Sequence, residues 1–246
     1  MIPKIIHHSA PSDHSRWHPV WFECDKSWKR QFPETEFNHV YWTDEALENL
    51  VKTIYPQYWS IYQSFPFHIM KIDFARFCYM DRYGGINADM DIYCFRNFYD
   101  NIKDHEVSLI ESVMKDEIVV SCMMAATPSN TFWGEVLELC VKSYYPYCER
   151  GNDYRDFYIK DTIGPYMVTR AFLKYDKIIN FLPKSLYNAD PPDKGDHIYT
   201  KHMLTGLWGK EIIDTFVDHP SEDKDSLFKE VYQRRNGIDL NNFEYE

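Results

Sequence analysis

Residues 71–91 read KIDFARFCYMDRYGGINADMD, from Lys71 to Asp91, and this stretch decides the fold. From Pro66 to Tyr83 the apolar residues Ile69, Ile72, Phe77, Met80 and Tyr83 recur near helical spacing, which predicts a helix. Gly84-Gly85 supplies the left-handed stop that ends many helices. A short segment, Ile86-Asn87-Ala88, then leads into two aspartates one residue apart, Asp89 and Asp91, and on into Ile92-Tyr93-Cys94-Phe95. On an extended segment residues i and i+2 share a side, so the two carboxylates are expected to face one hard cation while Met90 anchors in the core. Oxygen donors of this kind suit Mn²⁺ or Mg²⁺. Such a cation suits a pyrophosphate, whose charge a chain of formal net charge -11 would otherwise repel.

Each of these residues also has a plainer reading. Two aspartates at that spacing arise easily in a chain with 38 acidic residues, and alone they describe a solvated turn. The setting changes that, because the glycines permit a sharp turn and the pair emerges at a strand end beside a helix, where α/β folds place ligands. Asp73 and Arg76 fall three apart on one side of the helix, and their plain reading is a surface ion pair worth a few tenths of a kcal/mol.

Upstream, Pro3-Lys4-Ile5-Ile6-His7 reads as a first strand, followed by a Ser/Pro/Asp loop and a helical stretch from about Trp17 to Arg30. Glu36 to Trp42 reads as a second strand, and Thr43-Asp44 caps a helix beginning at Glu45 with Leu47, Leu50 and Val51 on one face. Downstream, strands are expected at Val107 to Ile110, Glu117 to Thr127 and Ile179 to Leu182. Helices are expected at Asn130 to Tyr145 and Asp161 to Tyr175. Strand, helix, strand, helix argues an α/β sandwich: one domain over 1–210 with a C-terminal helical and acidic extension over 211–246, its helix running from Ser221 to Arg235.

Composition narrows the function classes. The acidic balance leaves no basic stripe from which nucleic-acid binding could be argued. No segment reaches the ~18 apolar residues of a membrane span, and the N-terminus does not read as a signal peptide, so a soluble protein is expected. Six cysteines without a C-x-x-C pair fit reduced thiols in a cytosol better than a disulfide framework or a zinc site. The many aromatic residues serve either a core or the stacking of sugars and bases.

Taken together, Ile2-Pro3-Lys4-Ile5-Ile6-His7, Tyr41-Trp42-Thr43-Asp44, Lys71-x-Asp73-x-x-Arg76 and Gly84-Gly85-Ile86-x-x-Asp89-x-Asp91 resemble glycosyltransferase family 32. The likeness continues through Ala126-Thr127-Pro128-Ser129-Asn130-Thr131-Phe132, Thr162-Ile163-Gly164-Pro165, and His202 followed by Trp208, covering about residues 1 to 210. It implies a GT-A fold, a UDP- or GDP-sugar donor, a glycan or other hydroxyl acceptor, Mn²⁺ or Mg²⁺, and transfer with retention. Carried over by position, Asp89, Asp91 and His202 are the metal residues. Asp73 and Arg76 join Asp89 and Asp91 as the catalytic set, and Ile6, His7, Gly85, Asn87 and Trp208 join Asp73, Arg76, Asp89 and His202 in donor binding. The plain alternative for His202 is an ordinary histidine among ten. The chain departs from the family after the first strand, where His8-Ser9-Ala10-Pro11 replaces a pattern with Trp; Trp17 and Tyr41 are the candidates to stack the base. A soluble cytoplasmic enzyme of bacterial or viral origin is the expected setting, with peripheral membrane association through a partner.

Two other classes compete. Phosphatases of the haloacid-dehalogenase type also pair aspartates, but they want an apolar strand before the pair, where this chain has Gly84-Gly85. A catalytically silent carbohydrate-binding or scaffold protein could keep the same fold, against which the intact Asp73, Arg76, Asp89 and Asp91 argue.

Overall fold

The structure, a computed structural model, describes residues 1–114, 117–148, 150, 152–188, 198–203 and 205. The expected extension over 211–246, its helix and Trp208 lie outside the described residues.

Eight strands are formed among the described residues: β1 (Ile5–Ser9), β2 (Asn38–Trp42), β3 (Gly85–Ala88), β4 (Ile92–Cys94), β5 (Val107–Glu111), β6 (Val119–Ala126), β7 (Asn180–Leu182) and β8 (Thr200–His202). The helices are α1 (Pro19–Gln31), α2 (Asp44–Ile54), α3 (Trp59–Ser64), α4 (His68–Tyr83), α5 (Tyr99–Ile102), α6 (Thr131–Ser143), α7 (Asn152–Thr162), α8 (Pro165–Tyr175) and α9 (Lys184–Tyr187). Six strands form the main sheet in the order β2-β1-β3-β6-β5-β7, while β4 and β8 make a separate antiparallel pair. Within the main sheet only the contacts of β6 are antiparallel; β1 pairs in parallel with both β2 and β3, and β5 with β7. The α/β expectation is therefore met by a sheet dominated by parallel pairing.

Helices cover both faces, as a largely parallel sheet requires. Against one face, Phe74, Phe77 and Met80 of α4 pack with Trp133 and Val136 of α6, Met167 of α8 and Met124 of β6. Against the other, Trp28 of α1 packs with Phe32, Ile6 of β1, Ile86 of β3 and Ile102 of α5.

The position of β3 follows from its two glycines. Gly84 has φ 60° and Gly85 φ 97°, a region that L side chains avoid. A Cβ on Gly85 would stand 2.6 Å from the Ile5 carbonyl, and one on Gly84 2.6 Å from the Ala126 carbonyl. The glycines thus turn the end of α4 straight into the sheet between β1 and β6, bringing Ala88, and after it Asp89, to the sheet's centre.

Several boundaries differ from the sequence expectation. The first strand runs two residues later, at Ile5–Ser9. The helix expected at Asp161 to Tyr175 starts later, as α8 at Pro165 behind Gly164, and the stretch before it, read as a polar loop from its Tyr, Asp and Arg, forms α7, which Pro165, lacking an N–H, cannot continue. The middle of α4 is buried nearly all round, Met70, Phe74, Ala75, Cys78 and Tyr79 included, whereas Tyr83 is exposed, so the five-residue apolar face understated its burial. Met90 lies in the core, as expected, but Asp89, Met90 and Asp91 form a turn closed by the Ile92 N–H on the Asp89 carbonyl at 3.0 Å, not an extended segment.

His7 and His8 lie in β1, almost wholly buried, and burial pushes both down to about 4. Their folded values lie below the ~6.5 of an unfolded histidine, so their stabilisation is complete above that value and is lost as pH falls towards 4. Stability to urea should therefore fall between pH 7 and pH 5 by about 2 kcal/mol per histidine. A midpoint flat across that range would contradict the account.

Candidate active site

The site is assembled at the C-terminal end of β3 by three elements. Arg76 lies in the second half of α4, one turn after Asp73, and both are buried. Its Nη1 meets Asp73 Oδ1 at 2.9 Å and donates to the Ser121 carbonyl of β6 at 3.0 Å, while Nη2 meets Asp89 Oδ1 at 2.6 Å. With the Arg76 side chain only 4% exposed, the surface-pair reading fails. The guanidinium fork suits this task, since one planar group serves two carboxylates and a carbonyl at once.

Asp89 is fixed further by its backbone N–H on the Cys122 carbonyl at 2.8 Å, and its side chain stays 30% exposed. Burial and the neighbouring Asp91 push Asp89 up to about 7, which the Arg76 charge only partly offsets. Asp91 behaves in the opposite way. Burial would raise it, but the His202 charge, with hydrogen bonds from His202 and Thr205, holds it well below the usual carboxylate range.

β8 brings these partners in. Pairing of β4 with β8 sets His202 opposite Ile92, and the Met203 N–H closes on the Asp91 carbonyl at 2.8 Å. His202 Nε2 then lies 3.2 Å from Asp91 Oδ1, while the Thr205 N–H and hydroxyl donate to Asp91 Oδ2 at 3.0 and 2.8 Å. Asp91 in turn raises the His202 imidazole well above its ordinary value, against burial. Thr205 is a partner that the sequence did not disclose. The carbonyls of Ser121 and Cys122 were equally hidden, because any residue supplies a carbonyl.

The structure therefore brings together Asp73, Arg76, Asp89, Asp91 and His202. The side chains of Ile6, His7 and Asn87 face the interior, as does the Cα of Gly85. Ile6 is fully buried in the core, and Gly85 is where β3 passes close to β1. His7 donates Nε2–H to the Gly84 carbonyl at 2.8 Å, accepts from Trp42 Nε1 at 3.0 Å, and stacks on Tyr79. Asn87 accepts from the Tyr79 hydroxyl at 2.6 Å and reaches the Cys122 carbonyl at 3.3 Å. Their side chains support the site from below. Of the base-stacking candidates, Trp17 is buried and Tyr41 half-buried, in one cluster with Met90.

Two carboxylates and an imidazole on one turn and its facing strand are the right kind of donors for a hard divalent cation, and Asp89 keeps an open edge. Among the described residues no three such side chains already converge on one point. Asp91 is turned to His202 and Thr205, and Asp89 to Arg76.

The comparisons with known proteins bear on the fold and on residues 19–109. Residues 19–109 match the family model described as a glycosyltransferase sugar-binding region containing a DXD motif, the aspartates being Asp89 and Asp91. In structure, the chain is similar to the glycosyltransferase PaToxG, with a TM-score of 0.52 at 12% identity over 96% of this chain and 79% of that one, a likeness of fold. The fold is of the GT-A type, and residues 19–109 are similar to the DXD-containing sugar-binding region of glycosyltransferases.

Among curated relatives, an inositol phosphoceramide mannosyltransferase of Schizosaccharomyces pombe is 26% identical over 92% of this chain and 68% of its own length. A second such enzyme of the same yeast is 35% identical over 39% of this chain but only 26% of its own length. An uncharacterised glycosyltransferase of Acanthamoeba polyphaga mimivirus is 30% identical over 41% of this chain and 39% of its own. Two of these relatives are yeast enzymes and one is viral, so they do not single out the expected bacterial or viral origin. Among the described residues no helix is long and apolar enough to cross a membrane.

Replacing Arg76 by Ala would leave Asp73 and Asp89 without their shared counter-charge. The expected cost is about 3–5 kcal/mol of folding stability, read from urea denaturation at neutral pH. A loss below about 1 kcal/mol, the ordinary range of surface ion pairs, would contradict the burial described.

Proposed function

We propose that this chain transfers a sugar from a nucleoside-diphosphate donor to a hydroxyl acceptor, with retention of configuration and with a divalent cation. The observation that carries the reading is the buried Arg76 fork, which holds Asp73 and Asp89 in place beside Asp91. Asp89, Asp91 and His202 would hold Mn²⁺ or Mg²⁺, which when bound supplies positive charge to the diphosphate leaving group.

The remaining work falls to the chain's own residues. Arg76 adds a fixed positive charge in a water-poor setting, where charge developing on a leaving phosphate is stabilised most. Asp73, with one oxygen engaged by Arg76, would accept a sugar hydroxyl with the other. Thr205 and His202 orient Asp91. No side chain is assigned as general base or nucleophile; the departing phosphate oxygen takes the acceptor proton.

The names of the yeast relatives put mannose first among donor sugars and an inositol-phosphate headgroup first among acceptors. A lipid acceptor accords with peripheral membrane association.

Release of nucleoside diphosphate from a panel of UDP- and GDP-sugars, with Mn²⁺ and with chelator, tests the reading. Manganese-dependent release from one donor is expected, with Asp91→Ala reducing turnover at least ~100-fold while the variant remains folded. Near-wild-type turnover by Asp91→Ala would refute the site.

A further inference from the structure

Cys122 is a β6 residue that touches both halves of the proposed cation site. The register that sets Ala88 opposite Met123 leaves Asp89 beside Cys122, whose carbonyl accepts the Asp89 N–H at 2.8 Å and is reached by Asn87 Nδ2 at 3.3 Å. The side chain serves the other half. Its thiol is free, belongs to a residue only 8% exposed, and meets the imidazole of His202. A thiol buried in this way is a poor nucleophile, so its contact with His202 is the part of its chemistry that bears on the site.

His202 is placed by its backbone and oriented by its ring. Pairing of β8 with β4 sets it opposite Ile92, and its Nε2 lies 3.2 Å from Asp91 Oδ1. A cation shared with Asp91 needs the lone pair of the nitrogen on that side, Nε2, and the one proton of the neutral ring then belongs on Nδ1. A histidine that holds a metal keeps this arrangement when a neighbour accepts its other N–H. Sulfur accepts weakly, but inside the protein a weak acceptor is better than none.

We infer that Cys122 is a positioning residue for the cation: its sulfur accepts the Nδ1–H of His202 and fixes the tautomer that presents Nε2 beside Asp91, while its carbonyl holds Asp89. One residue of the sheet thus sets a carboxylate and the imidazole together. This rests on the metal-dependent reading of the site.

Calorimetric titration with Mn²⁺ in the presence of UDP or GDP tests the assignment on the wild type, Cys122→Ser and Cys122→Val. All three keep the carbonyl that anchors Asp89. Serine retains an acceptor in the side chain, and valine fills the space without one. Cys122→Val should weaken Mn²⁺ binding at least ~10-fold, and Cys122→Ser should stay within about 3-fold of the wild type. A folded Cys122→Val with wild-type affinity overturns the role of the thiol and leaves the metal reading standing. A serine variant as weak as the valine one contradicts that role too. Absence of Mn²⁺ binding by the wild type with either nucleotide overturns both. In the wild type itself, the ¹⁵N resonances of the His202 ring, recorded with Mg²⁺ and the same nucleotide, should place the proton on Nδ1; a proton on Nε2 contradicts the proposal without need of a variant.

Discussion

The guanidinium of Arg76 is the constraint on which the rest of the structure depends. A charge this deeply buried is tolerated only when it is paired, and here its two terminal nitrogens are answered from three elements while Nε stays without a partner: Asp73 on α4, the Ser121 carbonyl on β6, and Asp89 on the turn after β3. One side chain thereby ties helix, sheet and turn together at the point where the chemistry is placed. Two carboxylates against one guanidinium leave the site with an excess of negative charge, and Asp91 adds to it. The imidazole of His202 offsets part of that charge. The electrostatics of the site thus favour the entry of a cation and, through it, of an anionic donor.

The covalent neighbourhood makes this placement possible. Gly84 and Gly85 adopt positive φ and pass so close to the Ala126 and Ile5 carbonyls that a Cβ at either would force the backbone apart. β3 can therefore lie between β1 and β6 with no connecting loop after α4, and Arg76 and Asp89, thirteen residues apart, meet. The second aspartate is settled from the other end of the described chain. β8 crosses to β4 and delivers His202 and Thr205 onto Asp91, so the site closes only when residues far apart in sequence have met.

Much of this was legible in the sequence for physical reasons. The α4 periodicity, the double glycine and the paired aspartates are local signals, and local signals give the helix, its stop and the site's first half. Spacing also related Asp73 to Arg76, though it could not show that their pair is buried. What the sequence left hidden was set by long-range packing. The D-x-D segment is a turn because Asp89 is pulled to Arg76 and Asp91 to β8, and no alternation rule contains either pull. That the side chains of Ile6, His7 and Asn87 lie buried in the sheet was likewise not written in their pattern.

The central claim is that the turn at Asp89 and Asp91 is where metal and diphosphate meet. Electron paramagnetic resonance of Mn²⁺, recorded with the protein alone, with UDP or GDP, and with Asp91→Asn, tests it directly. The account predicts that the free-ion signal disappears when wild-type protein and nucleotide are present together, and that Asp91→Asn returns it to the level of manganese and nucleotide without protein. A wild-type spectrum indistinguishable from the protein-free control would contradict it.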